Sequence, residues 1–205
     1  MKWLTPGGAG AALAVGAATV WGLGWRGFVL LLAFFVSGSL LTKGGGQRNA
    51  RQVVANGGVA AVAALFGAWP IAAGALAAAA ADTWATEIGA FSPTPPRLIT
   101  SGAPVPRGTH GGITPLGTAG GVLGAVVLGG LAAFLEPRAA GPGLAHPGWT
   151  GAVVAGAGVV GMLVDSLLGA TLQGPDDAWL DNDGVNLATT LAGAGVAAAG
   201  WRLCC

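Results

Sequence analysis

The chain has 205 residues, 53% of them hydrophobic and only 8% charged, with a mean hydropathy of +0.69. Soluble domains usually carry about 25% charged residues, so the composition points to a bilayer protein. A formal charge of +1 leaves no basic footprint for nucleic acid, and the adjacent Cys204 and Cys205 match neither a usual structural disulfide nor a metal-ligand spacing.

Apolar runs of about 20 residues, the length that crosses a ~30 Å hydrocarbon core, recur along the chain at 5–23, 27–42, 53–68, 70–90, 114–135, 149–172 and 185–203. Lys2 ahead of the first run has the look of a signal peptide, but that run leads into further spans without a convincing cleavage site and reads as the first membrane helix. The expected fold is all-α: one integral-membrane domain over 1–205, a polytopic bundle of about seven (six to seven) transmembrane helices. Between spans three and four, Trp69-Pro70 reads either as a tight turn or as a kink within a re-entrant hairpin. Abundant glycine and alanine within the spans predict close helix packing through small-residue faces.

Lysine and arginine set the orientation. With the amino terminus inside, Lys2, Lys43, Arg48, Arg51, Arg97 and Arg107 are cytoplasmic, and Arg26, Arg138 and Arg202 lie outside. The same topology puts "KGGGQRNARQ", "SPTPPRLITSGAPVPRGTHGG" and "QGPDDAWLDND" on one side. Nearly all the unusual polar residues belong to these segments or to the helix ends beside them. Such asymmetry suggests a site facing the cytoplasm rather than a pathway through the membrane, and it counts against a small transporter.

In chain order, the first polar segment places Lys43, Arg48 and Arg51 around a glycine turn that enters a helix, with Asn49, Gln52 and Asn56 at helical spacing. Basic side chains and free N–H groups at a helix start make a phosphate cradle, though not a Walker A motif. Span four then carries Asp82 and Glu87, five positions and roughly 140° apart on an ideal helix. They do not share a face, so either the helix loosens or Asp82, with Thr86 one turn on, faces the site while Glu87 serves another partner. Intramembrane carboxylates cost at least ~2.5–3.5 kcal/mol each near a helix centre and are read as functional.

"PVPRGTHGGITPLGT" combines Arg107, Thr109 and His110 with Gly111 and Gly112; His110 is open to three roles, proton relay, phosphate donor or ordinary loop histidine. In span six, Gly158, Gly161, Asp165 and Gly169 form a smooth stripe broken by one acid. Asp176, Asp177, Asp181 and Asp183 read as a solvated loop and helix cap. Asn182 and Asn186 follow one turn apart, and Asn186, Thr190 and Gly193 continue that face into the membrane. Membrane-edge acids, basic loops and asparagines on one side fit phosphoryl transfer, in which acids hold Mg²⁺ and cations neutralise phosphate charge.

At "RNARQVVANGGVAA", "ADTWATEIG", "PRLIT", "PRGTHGGITPLGT", "DSLLGATLQ" and "NLATTLAG" the chain resembles an integral-membrane family, the one that contains plant phytyl-phosphate kinase and animal transmembrane protein 19 (domain of unknown function 92). More distantly, "DTWATEIG" is similar to the acidic motif of CTP-dependent polyprenol and phytol kinases, and "PRGTHGG" to the glycine-histidine loop of CDP-lipid synthases. The resemblance implies a kinase that converts an isoprenoid (phytyl or prenyl) monophosphate to the diphosphate, using CTP or another nucleoside triphosphate with Mg²⁺. The alternative is a CTP-dependent lipid cytidylyltransferase.

On this reading Asp82, Asp165 and Glu87 hold the metal, and Lys43, Arg48, Arg51 and Arg107 clamp phosphates. Asn49, Gln52, Asn56, Thr109, His110, Gly111, Gly112, Asn182 and Asn186 complete the substrate and nucleotide site. The expected partners are the lipid phosphate, the nucleotide and the membrane, and a homo-oligomer is compatible with them; the expected place is a bacterial plasma membrane with the site on the cytoplasmic side.

Overall fold

The computed structural model describes residues 3–42, 46–136, 147–173 and 180–203. Within them lie helices α1 (Pro6–Leu41), α2 (Ala50–Leu65), α3 (Trp69–Gly89), α4 (Pro115–Leu135), α5 (Pro147–Thr171) and α6 (Asn182–Arg202). The segment between α3 and α4 adds two short antiparallel strands, β1 (Arg97–Leu98) and β2 (Gly112–Ile113), pairing Arg97 with Ile113 and Leu98 with Gly112. Local chemistry starts four of the helices: Thr5, Asn49, Thr114 and Asp181 each accept a bond from the backbone N–H three residues on. Among the described residues α1, α4 and α5 are long and apolar enough to cross a membrane.

The first two expected spans form one continuous element, α1, broken at Gly24. There the backbone takes φ 64° and ψ −159°, a region essentially closed to residues with a Cβ. The break is a reversal. Trp3 and Phe35 meet with ring centroids 5.9 Å apart, whereas 32 residues of straight helix would separate them by about 48 Å. Gly8 and Gly38, one on each arm, both lie against Arg48. The expected third span is shorter than its apolar run: α2 stops at Leu65, and Gly67, at φ 65°, turns the chain. Trp69 and Pro70 are buried in the first turn of α3, so they sit just past a tight turn and make no kink within a span.

Helix α3 is the axis of the molecule. Every residue from 72 to 81 is buried, and the helix packs against α1, α2, α4, α5 and α6. A helix buried all round needs neighbours that can approach its backbone, and alanine allows this. Gly121 of α4 lies against Ala81 and Ala85, Gly158 and Gly161 of α5 against Ala77 and Ala78, and Gly193 of α6 against Gly74 and Ala78. At Gly193 an added methyl would sit 2.6 Å from both the Gly74 oxygen and the Ala78 Cβ.

These packings sort the helix ends. Gly22 meets Ala64, Thr150 Oγ1 donates to Glu136 Oε1 at 2.8 Å, and Trp149 Nε1 donates to the Gly200 oxygen at 3.3 Å, all at one end. Exposed aromatics gather there: Trp21, Trp25, Phe66, Phe134 and Trp149, with the Arg26 guanidinium 5.0 Å from the Trp25 ring centre. Amphipathic rings of this kind suit a membrane–water interface. The opposite end collects the polar segments and holds the site.

The two glycine roles separate on mutation. Gly24→Ala should cost roughly 1–3 kcal/mol, although its methyl would meet no atom within 4 Å, because the backbone itself is strained. Gly10→Ala, equally open but within an ordinary helical stretch of α1, should be neutral or stabilising by up to about 1 kcal/mol. Unfolding of both variants in detergent measures the contrast.

Candidate functional site

A cavity of about 1080 Å³ opens at the polar end, around the last two turns of α3. Its walls come from the second arm of α1, the first turns of α2, α4 and α6, the last turns of α5, and the segment 107–114. Helix N-termini carry partial positive charge, and three of them, those of α2, α4 and α6, border one space. Asp82 lies seven residues before the end of α3, about 10 Å along its axis, so the cavity reaches below the helix ends.

Asp82 and Asp165 converge at its deep wall. Their carboxyl groups stand close enough to interact directly, and Thr189 Oγ1 donates to Asp165 Oδ1 at 2.9 Å. The pairing follows from the glycine stripe: Gly158 and Gly161 seat α5 on Ala77 and Ala78, and one further turn along brings Asp165 opposite Asp82. Two carboxyl groups this close are compatible with a shared proton or an intervening cation.

Glu87 lines the same cavity; burial pushes the half-buried Arg48 guanidinium below its usual range, and the negative charge of Glu87 opposes that. Among the described residues no three His, Cys, Asp or Glu side chains are grouped to hold a metal. The expected three-acid set therefore contracts to the pair Asp82 and Asp165. The physical reason is the 140° offset on a regular helix: α3 does not loosen at this point.

Arg48 ties three chain segments together. Its Nη1 donates to Ser39 Oγ at 2.9 Å, its guanidinium stands 5.4 Å from the Phe35 ring centre, and its backbone bonds to Trp3 and Thr5. Gln52 and Asn56 line the cavity from α2, and Asn56 Nδ2 donates to the Gln52 oxygen at 3.1 Å. Asn49 and Arg51 do not line it, contrary to expectation. Asn49 is spent as the cap of α2, accepting from the Gln52 N–H. Arg51 turns outward to α6, with Nη2 at 2.5 Å from Asp181 Oδ2 and Nε at 3.7 Å from Asp183 Oδ2.

The 107–114 segment roofs the cavity. Arg107 lines it, but its Nη1 donates to the Ala90 oxygen at 3.1 Å and its Nη2 to the Ser92 oxygen at 2.5 Å, satisfying carbonyls at and just beyond the end of α3. Thr109 Oγ1 closes its own turn on the Pro106 oxygen at 2.8 Å. His110 is exposed and lines the cavity. Gly111, at φ 71°, lies against Ala170, and Gly112 pairs in β2.

From α6, Asn186 is buried and faces the cavity, and Asn182 stands at the rim with Gln173 Nε2 at 3.5 Å from its Oδ1. Thr190 leaves that face and donates to the Ala55 oxygen at 3.0 Å. Lys43, Asp176 and Asp177, with the two cysteines, lie outside the described residues.

Sequence reasoning passed over Trp3, Ser39, Thr83, Thr118 and Ser166 in the lining, and Thr189 beside Asp165. Ser166 and Thr189 had a signal, as neighbours of Asp165 and of Thr190 in motifs already singled out. Trp3 and Ser39 had none.

A helical membrane protein with a polar cavity at one end, floored by a carboxyl pair, is the class that this fold and site define. The family model described as integral membrane protein DUF92 matches residues 1–194, and the chain belongs to that family. An uncharacterised membrane protein of Synechocystis sp. is 34% identical, covering 96% of this chain and 82% of its own length. One of Methanocaldococcus jannaschii is 33% identical over 83% of this chain and 74% of its own length. Protein PGR of Arabidopsis thaliana is 34% identical over 73% of this chain and 65% of its own length. No solved structure matches.

The Asp181 cap gives a pH signature. The Gly184 N–H, then Arg51, hold its carboxyl below the usual value of 3.8. A depressed folded-state value favours the ionised form, so this contribution to stability is complete above about pH 3.8 and is lost as the pH falls through the lower folded-state value. Asp181→Asn, which keeps an acceptor for the cap, should flatten the acid limb of a melting-temperature profile below that point.

Proposed function

We propose that the chain is a kinase of isoprenoid monophosphates, forming the diphosphate from CTP or another nucleoside triphosphate with Mg²⁺. The observation that carries the reading is the Asp82–Asp165 pair at the wall of a cavity that also receives Arg48, Asn56, His110, Asn186 and three helix N-termini. The donor set fits the ion: Mg²⁺ is commonly held by one or two carboxylates, with phosphate oxygens and water completing its shell, so Asp82 and Asp165 suffice without a third acid. Bound there, Mg²⁺ would neutralise charge on the donor phosphates and make the proximity of two carboxylates tolerable.

In the reaction, an oxygen of the acceptor's phosphate attacks the γ-phosphorus of the triphosphate. A new P–O bond forms, the bond from that phosphorus to the β–γ bridging oxygen breaks, and the nucleoside diphosphate leaves with the electron pair. The acceptor oxygen is already anionic, so no strong general base is required. The protein's part is positional and electrostatic. Arg48 and the N-termini of α2, α4 and α6 hold phosphates, His110 and Gly111 close the site from above, and Asn56 and Asn186 orient the nucleotide.

In this proposal the two arms of α1, about 27 and 26 Å long, count separately and give seven crossing segments. The amino terminus and the cavity then face the cytoplasm of a bacterial plasma membrane, as the lysine and arginine distribution favours.

Purified protein in detergent should transfer label from [γ-³²P]CTP or ATP to phytyl, geranylgeranyl or farnesyl phosphate, releasing nucleoside diphosphate. Asp82→Asn should lower the rate by roughly 10²-fold or more. Absence of transfer with every donor, or an Asp82→Asn variant as active as wild type, rejects the kinase. Pyrophosphate release in place of nucleoside diphosphate assigns the site to a cytidylyltransferase.

A further inference from the structure

Away from the polar end, α4 and α5 meet backbone to backbone. A methyl on Gly129 would sit 2.6 Å from the Gly151 oxygen, and one on Gly158 would sit 2.7 Å from the Ala125 Cβ. One turn nearer the polar end the contact changes character, because Gly121 is met by the Met162 thioether, the tip of a long and flexible side chain. Beyond it the cavity runs between the two helices, lined by Gly117 and Thr118 of α4 and by Met162, Leu163 and Ser166 of α5. Gly111, packed on Ala170, closes this gap above. Between Met162 and Ala170 the gap is about two turns of α5 tall.

Leu163 belongs to two surfaces at once. It lines the cavity, and with Val160 and Leu167, at helical spacing, it also forms an exposed apolar row on a helix long and apolar enough to cross a membrane. Such a row faces lipid, so the cavity opens sideways where Leu163, 42% exposed, joins the two surfaces. The position lies eight residues before the end of α5, about 12 Å along its axis and below the membrane edge.

Neighbouring seams are bridged. Trp84 of α3 fills the gap between the second arm of α1 and α4, its Nε1 donating to Ser37 Oγ at 3.3 Å and its ring lying on Gly124. Thr190 ties α6 to α2 through the Ala55 oxygen, and Thr189 ties α6 to α5 through Asp165. Leu40 also lines the cavity and is exposed, but it stands one residue before the end of α1, at the rim.

We infer that the gap between α4 and α5 is the lateral entrance for a phosphate monoester with one long apolar chain, whose phosphate reaches the Asp82–Asp165 wall while the chain lies over Met162 and leaves into lipid past Thr118 and Leu163. Drawing a long chain out of the bilayer into water exposes apolar surface at a cost that grows with every methylene, so a site for such a lipid is best served from the side. Met162 and Asp165 are one turn apart on α5, which puts the window next to the carboxyl pair. The path rests on the kinase reading for what the head group meets; the entrance itself is a binding claim and is tested without turnover.

The test titrates farnesyl phosphate and isopentenyl phosphate separately by calorimetry into the full chain in detergent. Thr118→Phe combined with Leu163→Trp narrows the window from both sides. It should weaken farnesyl phosphate roughly 10-fold, the worth of about two buried methylenes, and weaken isopentenyl phosphate by less than about 2-fold. Leu40→Trp, at the other exposed apolar residue of the lining, should change neither. Unchanged farnesyl phosphate affinity in the double variant, an equal loss for isopentenyl phosphate, a loss with Leu40→Trp instead, or no farnesyl phosphate binding by the wild type overturns the entrance. Melting temperature reports the fold; if the double variant melts lower, Leu163→Trp alone, at its half-exposed position, is read in its place.

A farnesyl phosphate carrying benzophenone at the end of its chain should label residues 118–122 and 159–167, and labelling confined to α1 overturns the path. A loss that grows with chain length in a protein that transfers no phosphoryl group leaves the entrance standing and rejects the kinase. Transfer with no effect of chain length does the reverse.

Discussion

The contact between alanine on α3 and glycine on its neighbours governs the rest of the structure. Lipid tails are as apolar as the helices, so water exclusion contributes little to pulling these helices together, and van der Waals packing of backbones at short range must do so. Large side chains would hold the axes apart. At Gly121, Gly158, Gly161 and Gly193 even a methyl would collide with α3 or with a residue packed on it. The approach locks each helix in rotation as well as distance, and that rotation puts Asp165 opposite Asp82. The carboxyl pair is thus a consequence of packing one and two turns away.

Among the described residues, several charges at the polar end have specific partners. Glu87 offsets Arg48, Asp181 and Asp183 hold Arg51, and the carbonyls at the end of α3 occupy Arg107. Burying an uncompensated charge is far more costly than forming any one of these contacts, so partners near a bilayer decide which cations remain available to a ligand. Of the arginines expected to clamp phosphate, Arg51 and Arg107 hold the scaffold together, and Arg48 keeps donors for the cavity. The far end is built from tryptophan and phenylalanine with few charges, which anchors the bundle and leaves the chemistry at one end.

Several local features were legible in the amino-acid order. The helix start at Asp181 follows from a side chain that caps its own backbone, and the apolar runs mark the helices to within a few residues. The stripe of Gly158, Gly161 and Asp165 announced a face on which another helix would lie close, and α3 lies there. Asn49 shows the limit of such reasoning. Helical spacing put it with Gln52 and Asn56, but its position at the start of the helix commits it to capping, and the face begins one turn later.

By itself the sequence determined the class of protein, the apolar segments and the gathering of polar residues at one end, because hydropathy, capping and charge act over a few neighbouring residues. Tertiary structure alone decided that the first long helix doubles back at Gly24, that Glu87 does not group with Asp82 and Asp165, and that Trp3 comes to border the cavity. Those outcomes depend on the angle at which each helix meets the next, which close packing of small residues sets and which residue spacing along a single helix does not encode.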